Sequence, residues 1–289
     1  MGLDINAVRL LIAAHKRGVR YKDVLMLGRQ DLNVYPATMV KELRKHGLPA
    51  DEFLSNDPAK VRYAEPVFRA LGATNVKSMD ASSFEGAEYV HDLNQPIGPE
   101  MREKFDLVYD GGTLEHVFNF PQALKNCMEM VRVGGFVMMH TITNNWCGHG
   151  FYQFSPELFF QAFSGQNGFS IERMVAHVVG PYGRWFEVSD PEKIRQRVEV
   201  VNTLPLHIWV EARRITVKPV FASVPQQSDY TPRWEPETKP AVVYQPDRSP
   251  LSRMLPGVAR VFNVAKNGLT LLHRQSLRNR VRFTVAKKP

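Results

Sequence analysis

The sequence has little cysteine and no long apolar run, and its first residues do not lead us to expect a secretion signal. Only two cysteines occur among its 289 residues, Cys127 and Cys147, and they form no CxxC pair. A disulfide framework or a cysteine-based zinc site is therefore not expected, no metal site is predicted, and a reducing cytoplasm is the expected compartment. Because no apolar run approaches the ~18 residues that a membrane span needs, no transmembrane helix is expected.

Acidic residues are absent from the end of the chain. Residues 249–289 contain nine Lys or Arg and no Asp or Glu, whereas residues 1–248 hold 28 basic and 29 acidic side chains, so the net charge of +8 belongs to the tail. A helical pattern there sets an apolar stripe against a basic face: Val258, Val261, Phe262, Ala265, Leu269 and Leu272 opposite Arg253, Arg260, Arg274 and Arg278. Such a helix is expected to pack on its own domain, on a partner protein or peripherally on the inner face of the membrane. Nucleic acid is not an expected partner, because no nucleic-acid-binding motif accompanies the charge.

Short apolar stretches alternate with helical patterns over the first three quarters of the chain. Strands are predicted at residues 24–27, 75–79, 87–90, 105–109 and 136–140. Asp4 is predicted to cap the first helix, and two later stretches, 170–179 and 206–215, predict a closing antiparallel hairpin. This order predicts an α/β fold with a parallel sheet covered on both faces. A proline-rich linker at 218–250 is predicted to separate a domain at 1–217 from a basic amphipathic segment at 251–289.

Polar and glycine residues follow the predicted strands, where open parallel sheets bind their ligands. Asp80 follows the second of these strands, and a carboxylate there suits the two hydroxyls of a ribose. Asp92 follows the next strand, where a polar side chain suits an adenine edge. Gly111 and Gly112 follow the strand after that and allow a ligand to approach the backbone closely.

The segment from Phe105 to His140 resembles the region between the fourth and fifth strands of class I S-adenosylmethionine-dependent methyltransferases. The strand FDLV, the turn LEHV at 114–117 and the pair Gly134-Gly135 carry this resemblance, which extends over about residues 1–216. It implies a Rossmann-like class I methyltransferase fold, with a mostly parallel seven-stranded sheet, a closing antiparallel hairpin and a C-terminal extension. It also implies S-adenosylmethionine as the cofactor. The cofactor-binding residues that it implies are Gly28, Asp31, Asp80, Ala81, Asp92, Leu93, Asp110 and Gly111.

The first loop departs from that family, which usually has a glycine-rich GxGxG turn after its first strand. Here the loop reads Leu27-Gly28-Arg29-Gln30-Asp31-Leu32, with a single glycine. Side chains at Arg29 and Asp31 are expected to occupy space that the family leaves for the cofactor, unless Asp31 binds the cofactor's amino group. The alternative function is therefore a non-catalytic, methyltransferase-like binding or assembly protein. A nucleotide-binding oxidoreductase is disfavoured, because it requires a GxGxxG turn.

The stretch at 141–157 is dense in hydrogen-bonding and aromatic side chains and is expected to overhang the donor methyl group. Methyl transfer to a hydroxyl needs a base, and histidine suits that task near neutral pH. His149 is the first candidate and His116 the second. The predicted substrate-binding residues are Asn144, Asn145, Trp146, Phe151, Tyr152 and Gln153. The predicted activity is O-methylation of a glycan or another small hydroxylated molecule.

Overall fold

The computed structural model describes residues 2–55, 61–230, 276–277 and 279–288. The helices are α1 (Ile5–Lys16), α2 (Pro36–Lys45), α3 (Glu65–Ala70), α4 (Phe120–Met130), α5 (Pro156–Ala162) and α6 (Pro191–Ile194). The strands are β1 (Gly2–Leu3), β2 (Asp23–Leu27), β3 (Asp31–Leu32), β4 (Asn75–Asp80), β5 (Tyr89–Val90), β6 (Phe105–Asp110), β7 (Val131–Asn144), β8 (Phe169–Val178), β9 (Trp185–Val188), β10 (Leu206–Arg214) and β11 (Phe283–Ala286). The predicted amphipathic stripe at 258–272 and residues 231–250 of the predicted linker lie outside the described residues.

The main sheet has nine strands in the order β11-β9-β8-β10-β7-β6-β2-β4-β5. Strands β5, β4, β2, β6 and β7 run parallel, and β10, β8, β9 and β11 extend the sheet by antiparallel pairing. The expected mostly parallel, seven-stranded sheet is therefore wrong in two respects: β9 and β11 add two strands beyond β8, and four of the eight strand pairings in the main sheet are antiparallel. The two stretches predicted as a closing hairpin do pair as β8 and β10, but β9 and α6 lie between them in the chain.

Helix α1 begins where the sequence predicts. The Asp4 side chain caps it, because Oδ1 accepts a hydrogen bond from the Ala7 amide at 2.8 Å. The apolar residues of α1 lie in the same core cluster as Val24 and Met26 of β2, whereas Leu25 and Leu27 lie in a second cluster. Alternate residues of a strand point to opposite faces, so the sheet is buried on both sides, as predicted.

The pair Gly134-Gly135 lies inside β7 rather than at the end of a helix. Helix α4 ends at Met130, and β7 begins at the next residue, Val131, which pairs with Phe105 of β6. A Cβ atom on Gly135 would lie 2.6 Å from the carbonyl oxygen of Asp106, so the close approach of β6 requires glycine there. The predicted strand at 136–140 is thus the middle of a longer one.

The C-terminal segment contributes to the main sheet. Residues 283–286 form β11, which pairs antiparallel with β9. This strand falls within the segment predicted to be separate from the domain at 1–217. In the part of the chain that the structure describes, no helix is both long enough and apolar enough to cross a membrane.

Candidate functional site

The crevice between β2 and β6 lies where the direction of the strand connections reverses. From β2 the chain proceeds to β4 and β5 on one side, then returns to β6 and β7 on the other. Ligands of open α/β sheets bind outside the carboxyl ends of the strands at such a switch point. Gly28 follows β2 there, and Asp110 and Gly111 stand at the end of β6.

Gly28 and Asp80 lie next to each other at this crevice. The Gly28 amide donates to the carbonyl oxygen of Met79 at 2.7 Å, and its φ of +68° is one that glycine adopts without strain. A Cβ atom built on Gly28 would stand 3.8 Å from Oδ2 of Asp80. Two of the predicted cofactor-binding residues therefore come together across neighbouring strands.

Gln30, which the sequence analysis did not single out, fills the floor of the crevice. Its side chain is buried, and its Nε2 donates to the carbonyl oxygen of Leu27 and, at 3.4 Å, to Oγ1 of Thr113. A Cβ atom on Gly111 would lie 2.3 Å from Oε1 of Gln30. Oε1 itself is buried without a hydrogen-bond partner among the described residues. The glycine at 111 thus makes room for Gln30.

The Arg29 side chain is held by polar and aromatic neighbours, and its expected obstruction of the cofactor stays a prediction. Its Nε donates to Oε1 of Glu65 at 2.7 Å, its Nη1 donates to the carbonyl oxygen of Glu85 at 3.0 Å, and its guanidinium carbon lies 4.0 Å from the ring centroid of Tyr63. These contacts hold the guanidinium against α3 and the loop after β4.

Asp31 is likewise engaged elsewhere, in the short strand β3. The Nε of Arg62 donates to its Oδ1 at 3.3 Å. In this structure the cation beside Asp31 is therefore the Arg62 guanidinium. Binding of the cofactor's amino group by Asp31 stays a prediction.

Asp92, Leu93 and Ala81 lie on the loops after β4 and β5. Asp92 is exposed, and its Oδ1 accepts from the amide of Asn94 at 2.9 Å and from Asn94 Nδ2 at 2.7 Å. These hydrogen bonds lower the pKa of the Asp92 carboxyl. Leu93 is buried in the core and Ala81 is exposed. Their contacts with a cofactor stay predictions, and the Asp92 side chain also shapes its own turn.

Two buried carboxyl groups lie behind the crevice. Oδ1 of Asp110 accepts from the amides of Thr113 at 2.8 Å and Leu114 at 3.4 Å, and burial raises the pKa of Asp110 to about 6. Oε2 of Glu115 accepts from Oγ1 of Thr141 at 3.0 Å. Burial, with the charge of Asp110 adding to it, raises the pKa of Glu115 to about 8. Glu115 therefore retains its proton at neutral pH, a property that the sequence analysis did not predict.

The two candidate bases face each other beside Glu115. The ring centroids of His116 and His149 are 5.1 Å apart. Burial, together with the charge of His149, lowers the pKa of His116, so its imidazole is neutral at pH 7 and can accept a proton. Glu115, His116 and His149 each offer a ligand atom within 4.8 Å of the others, so this cluster could also hold a metal ion, which the sequence analysis did not predict.

Backbone contacts hold the loop after β7 close to Glu115. The Phe151 amide donates to the carbonyl oxygen of Glu115 at 2.9 Å. A Cβ atom on Gly150 would lie 2.8 Å from that oxygen and 3.2 Å from Nδ1 of His116. Glycine at 150 is therefore what lets the loop bring His149 to His116.

Most of the polar groups predicted to bind substrate are used to fold this loop. Nδ2 of Asn144 donates to Oδ1 of Asn202 at 2.6 Å, and Nδ2 of Asn145 donates to the carbonyl oxygens of Asn202 at 2.9 Å and Leu204 at 3.0 Å. The Trp146 amide donates to Oε1 of Gln153 at 2.7 Å. Asn202 was missed because it lies almost sixty residues away in the sequence. Direct substrate contacts by these amides stay predictions.

Aromatic side chains form the outer wall of the site. Phe151 is 66% exposed and Phe118 is 73% exposed, and their ring centroids are 5.7 Å apart in an edge-to-face arrangement. The hydroxyl of Tyr152 donates to the carbonyl oxygen of Phe118 at 2.6 Å, which joins this wall to the turn after β6. Exposed rings at a crevice can stack on a flat or apolar ligand surface.

Comparison with known proteins found structural neighbours but no sequence relatives. No protein-family model matches the chain. No curated protein matches it either. Solved structures do match. The chain is similar to methyltransferases. The N-methyltransferase NodS from Bradyrhizobium japonicum WM9, solved in complex with S-adenosyl-L-homocysteine, is 10% identical, with 73% of this chain and 87% of that chain covered and a TM-score of 0.40.

Two further neighbours show the same level of similarity. TehB from Haemophilus influenzae is 14% identical, with 71% of this chain and 61% of that chain covered and a TM-score of 0.39. The branched-chain polyamine synthase from Thermus thermophilus is 13% identical, with 79% and 63% covered and a TM-score of 0.39.

Proposed function

We propose that the chain is an S-adenosylmethionine-dependent methyltransferase that methylates an oxygen of a glycan or small hydroxylated molecule. The observation that carries the proposal is the meeting of Gly28, Asp80 and Gly111 at the switch point of the sheet. A carboxylate beside a glycine with positive φ at this position suits a ribose whose nucleoside lies close to the backbone.

The cofactor, when bound, supplies the methyl group, and the chain supplies binding and proton transfer. Asp80 would accept hydrogen bonds from the two ribose hydroxyls, Gly28 would allow close approach of the cofactor, and the turn at Asp92 and Leu93 would flank the adenine. His149 is the first candidate base and His116 the second, because their two rings adjoin each other, with centroids 5.1 Å apart. The acceptor oxygen would take the methyl group as the bond between that group and the donor sulfur breaks, and an imidazole nitrogen of His149 or His116 would take the hydroxyl proton.

The acceptor site lies between the histidine pair and the aromatic wall. Phe151 and Tyr152 stack on a sugar or flat ring of the acceptor. The side-chain amides of Asn144, Asn145 and Gln153 bind the acceptor hydroxyls through the donor and acceptor positions that are not used within the loop. Trp146 shapes the same loop from below, because its Nε1 donates to the carbonyl oxygen of Leu206 at 3.0 Å.

The proposal is tested by ligand-induced stabilisation. S-adenosylhomocysteine at about 100 times its dissociation constant stabilises a folded protein by ~2.7 kcal/mol, which is a Tm rise of several degrees. We expect this rise in the wild-type protein and in Asp51→Asn, an exposed carboxylate at the start of a 3-10 helix. We expect no rise in Asp80→Asn. An equal rise in both variants would remove the ribose role of Asp80.

A non-catalytic binding or assembly role is the second candidate, and the position of Gln30 favours it. Its buried side chain fills the space over Gly111 that a cofactor would approach. If Gln30 blocks the site, S-adenosylhomocysteine will stabilise Gln30→Gly and leave the wild-type protein unaffected. Stabilisation of the wild-type protein, reduced in Gln30→Gly, would instead make Gln30 part of a working site.

A further inference from the structure

A second cluster of histidines lies outside the crevice, on three neighbouring strands of the antiparallel half of the sheet. His207 of β10 pairs directly with His177 of β8, so both side chains point to the same face. On the other side His207 pairs with Ile142 of β7, which shares its face with His140 two residues earlier. The three imidazoles therefore meet on one face, the one that α1 covers.

The ligand atoms of these rings are close enough to share one ion. A nitrogen of each ring lies within 4.8 Å of a nitrogen of the other two. The Nε2 atoms of His140 and His177 are 2.8 Å apart. Tetrahedral zinc with Zn–N distances of ~2.0–2.1 Å places its ligand nitrogens about 3.3 Å apart, so an ion needs these two rings to separate by only about 0.5 Å.

The protonation of His177 is fixed by its neighbour. Its Nδ1 lies 3.1 Å from the carbonyl oxygen of Val178, to which it donates. The Nε2 atom of His177 therefore carries a lone pair directed at His140. A backbone carbonyl that orients the far nitrogen in this way is the usual support of a metal-binding histidine.

The imidazole of His207 is buried, and its nitrogens lack hydrogen-bond partners among the described residues. Its exposed fraction is 9%, and neither ring nitrogen has a hydrogen-bond partner in the described part of the chain. A buried polar group without a partner costs free energy, which a bound ion would recover. This cost distinguishes His207 from an ordinary core histidine, which satisfies at least one of its nitrogens.

The environment of the cluster keeps its three rings unprotonated. Burial lowers the pKa of His140, His177 and His207, so all three rings are neutral and available as ligands at pH 7. The carboxylate of Asp4, at the start of α1, interacts with all three and supplies a compensating negative charge. Lys288 adds a smaller opposing charge near His177.

We propose that His140, His177 and His207 form a binding site for a divalent transition-metal ion of the zinc type. Imidazole nitrogens suit Zn²⁺, Cu²⁺, Ni²⁺ and Co²⁺, whereas Mg²⁺ and Ca²⁺ prefer oxygen ligands. Three protein ligands leave a fourth position for water. The site stands whether or not the chain transfers methyl groups.

The ion would affect the loop after β7 through Trp146. The Trp146 ring stacks on His207 with centroids 5.1 Å apart and an interplanar angle of 13°, and it meets His149 edge-on at 5.3 Å. Coordination of His207 would therefore restrict the position of the Trp146 ring, against which the candidate base His149 packs.

The test is Co²⁺ titration of the full chain after removal of metals with a chelator. We expect the visible absorption of tetrahedral Co²⁺ at one equivalent, displaced by Zn²⁺. Binding should weaken at least about 100-fold in His207→Gln and in His177→Gln, since even an outer-shell partner is worth up to that much. The control is the double variant His116→Gln/His149→Gln, which removes the histidines of the other possible metal cluster, formed with Glu115. This variant should bind Co²⁺ as the wild-type protein does.

A second measurement separates lost binding from lost folding. Zn²⁺ should raise the Tm of the wild-type protein and of the His116→Gln/His149→Gln control, and it should leave the Tm of folded His207→Gln unchanged. No binding by folded wild-type protein would overturn the proposal. So would Co²⁺ binding that survives in His207→Gln and disappears in the control.

Discussion

Replacing Glu115 with glutamine changes the pH dependence of stability in a direction that the structure fixes. The carboxyl group is buried, and its pKa rises from 4.5 to about 8 on folding. Between these values the folded state binds more protons than the unfolded state. The free energy of unfolding of the wild-type protein therefore falls as the pH rises from about 4.5 to 8, and the whole penalty is present above pH 8.

The size of the effect follows from the same two values. Each unit of pKa corresponds to about 1.4 kcal/mol, so the upper bound is about 5 kcal/mol. Asp110 lies in the same buried region, so part of the free-energy cost of ionisation belongs to its carboxyl group. We therefore expect Glu115→Gln to raise the free energy of unfolding by about 2–5 kcal/mol at pH 9. Glutamine retains an oxygen that can accept the hydrogen bond of Thr141, so the variant should differ little from the wild-type protein near pH 5.

Urea unfolding at pH 5.5 and pH 9 measures this difference. The control is Glu172→Gln on β8, where the side chain is exposed. The difference in unfolding free energy between this variant and the wild-type protein should be similar at the two pH values. The reasoning is refuted if the stability difference between Glu115→Gln and the wild-type protein is the same at both pH values, because the buried proton would then play no part.

Three further predictions concern the site and its loop. Gly150→Ala should release the loop after β7 and speed its proteolysis, because the new Cβ atom meets the Glu115 carbonyl at 2.8 Å; Gly165→Ala, where nothing lies within 4 Å, should not. Asn202→Ala should raise amide exchange at residues 144–146, because the side chains of Asn144 and Asn145 lose their hydrogen bonds to Oδ1 of Asn202, and unchanged exchange would contradict this. Gly111→Ala should lower the Tm by steric conflict with Oε1 of Gln30 at 2.3 Å, and Gln30→Ala in the same chain should restore it; a Tm that stays low in the double variant would locate the conflict elsewhere.

The parallel half of the fold could be predicted because its signals are local. Asp4 caps α1 as expected. The strand at Asp23–Leu27 contains a continuous apolar run followed by a glycine, and the strand at Phe105–Asp110 is mostly apolar and ends in a polar residue. The meeting of Gly28 with Asp80 followed from a rule of topology, since parallel strands end at one edge of the sheet.

The antiparallel edge could not be predicted in the same way. Strand β11 lies in a basic stretch and pairs with β9, which precedes it by nearly one hundred residues, so no local pattern indicates the partnership. The histidine cluster was missed for the same reason, because His140, His177 and His207 come together only when β7, β8 and β10 pair. Gln30 was missed because a single glutamine in a loop gives no sign that it will be buried.

Amide hydrogen exchange of the wild-type protein, with and without S-adenosylhomocysteine, tests for a cofactor site at the switch point of the sheet. We expect the ligand to slow exchange at the carboxyl ends of β2, β4, β5 and β6, in residues 28–32, 80–82, 92–95 and 110–116. Antiparallel strands β9 and β11 should be unaffected. Protection confined to other segments, or no protection at saturating ligand, would contradict a cofactor site at the switch point of this sheet.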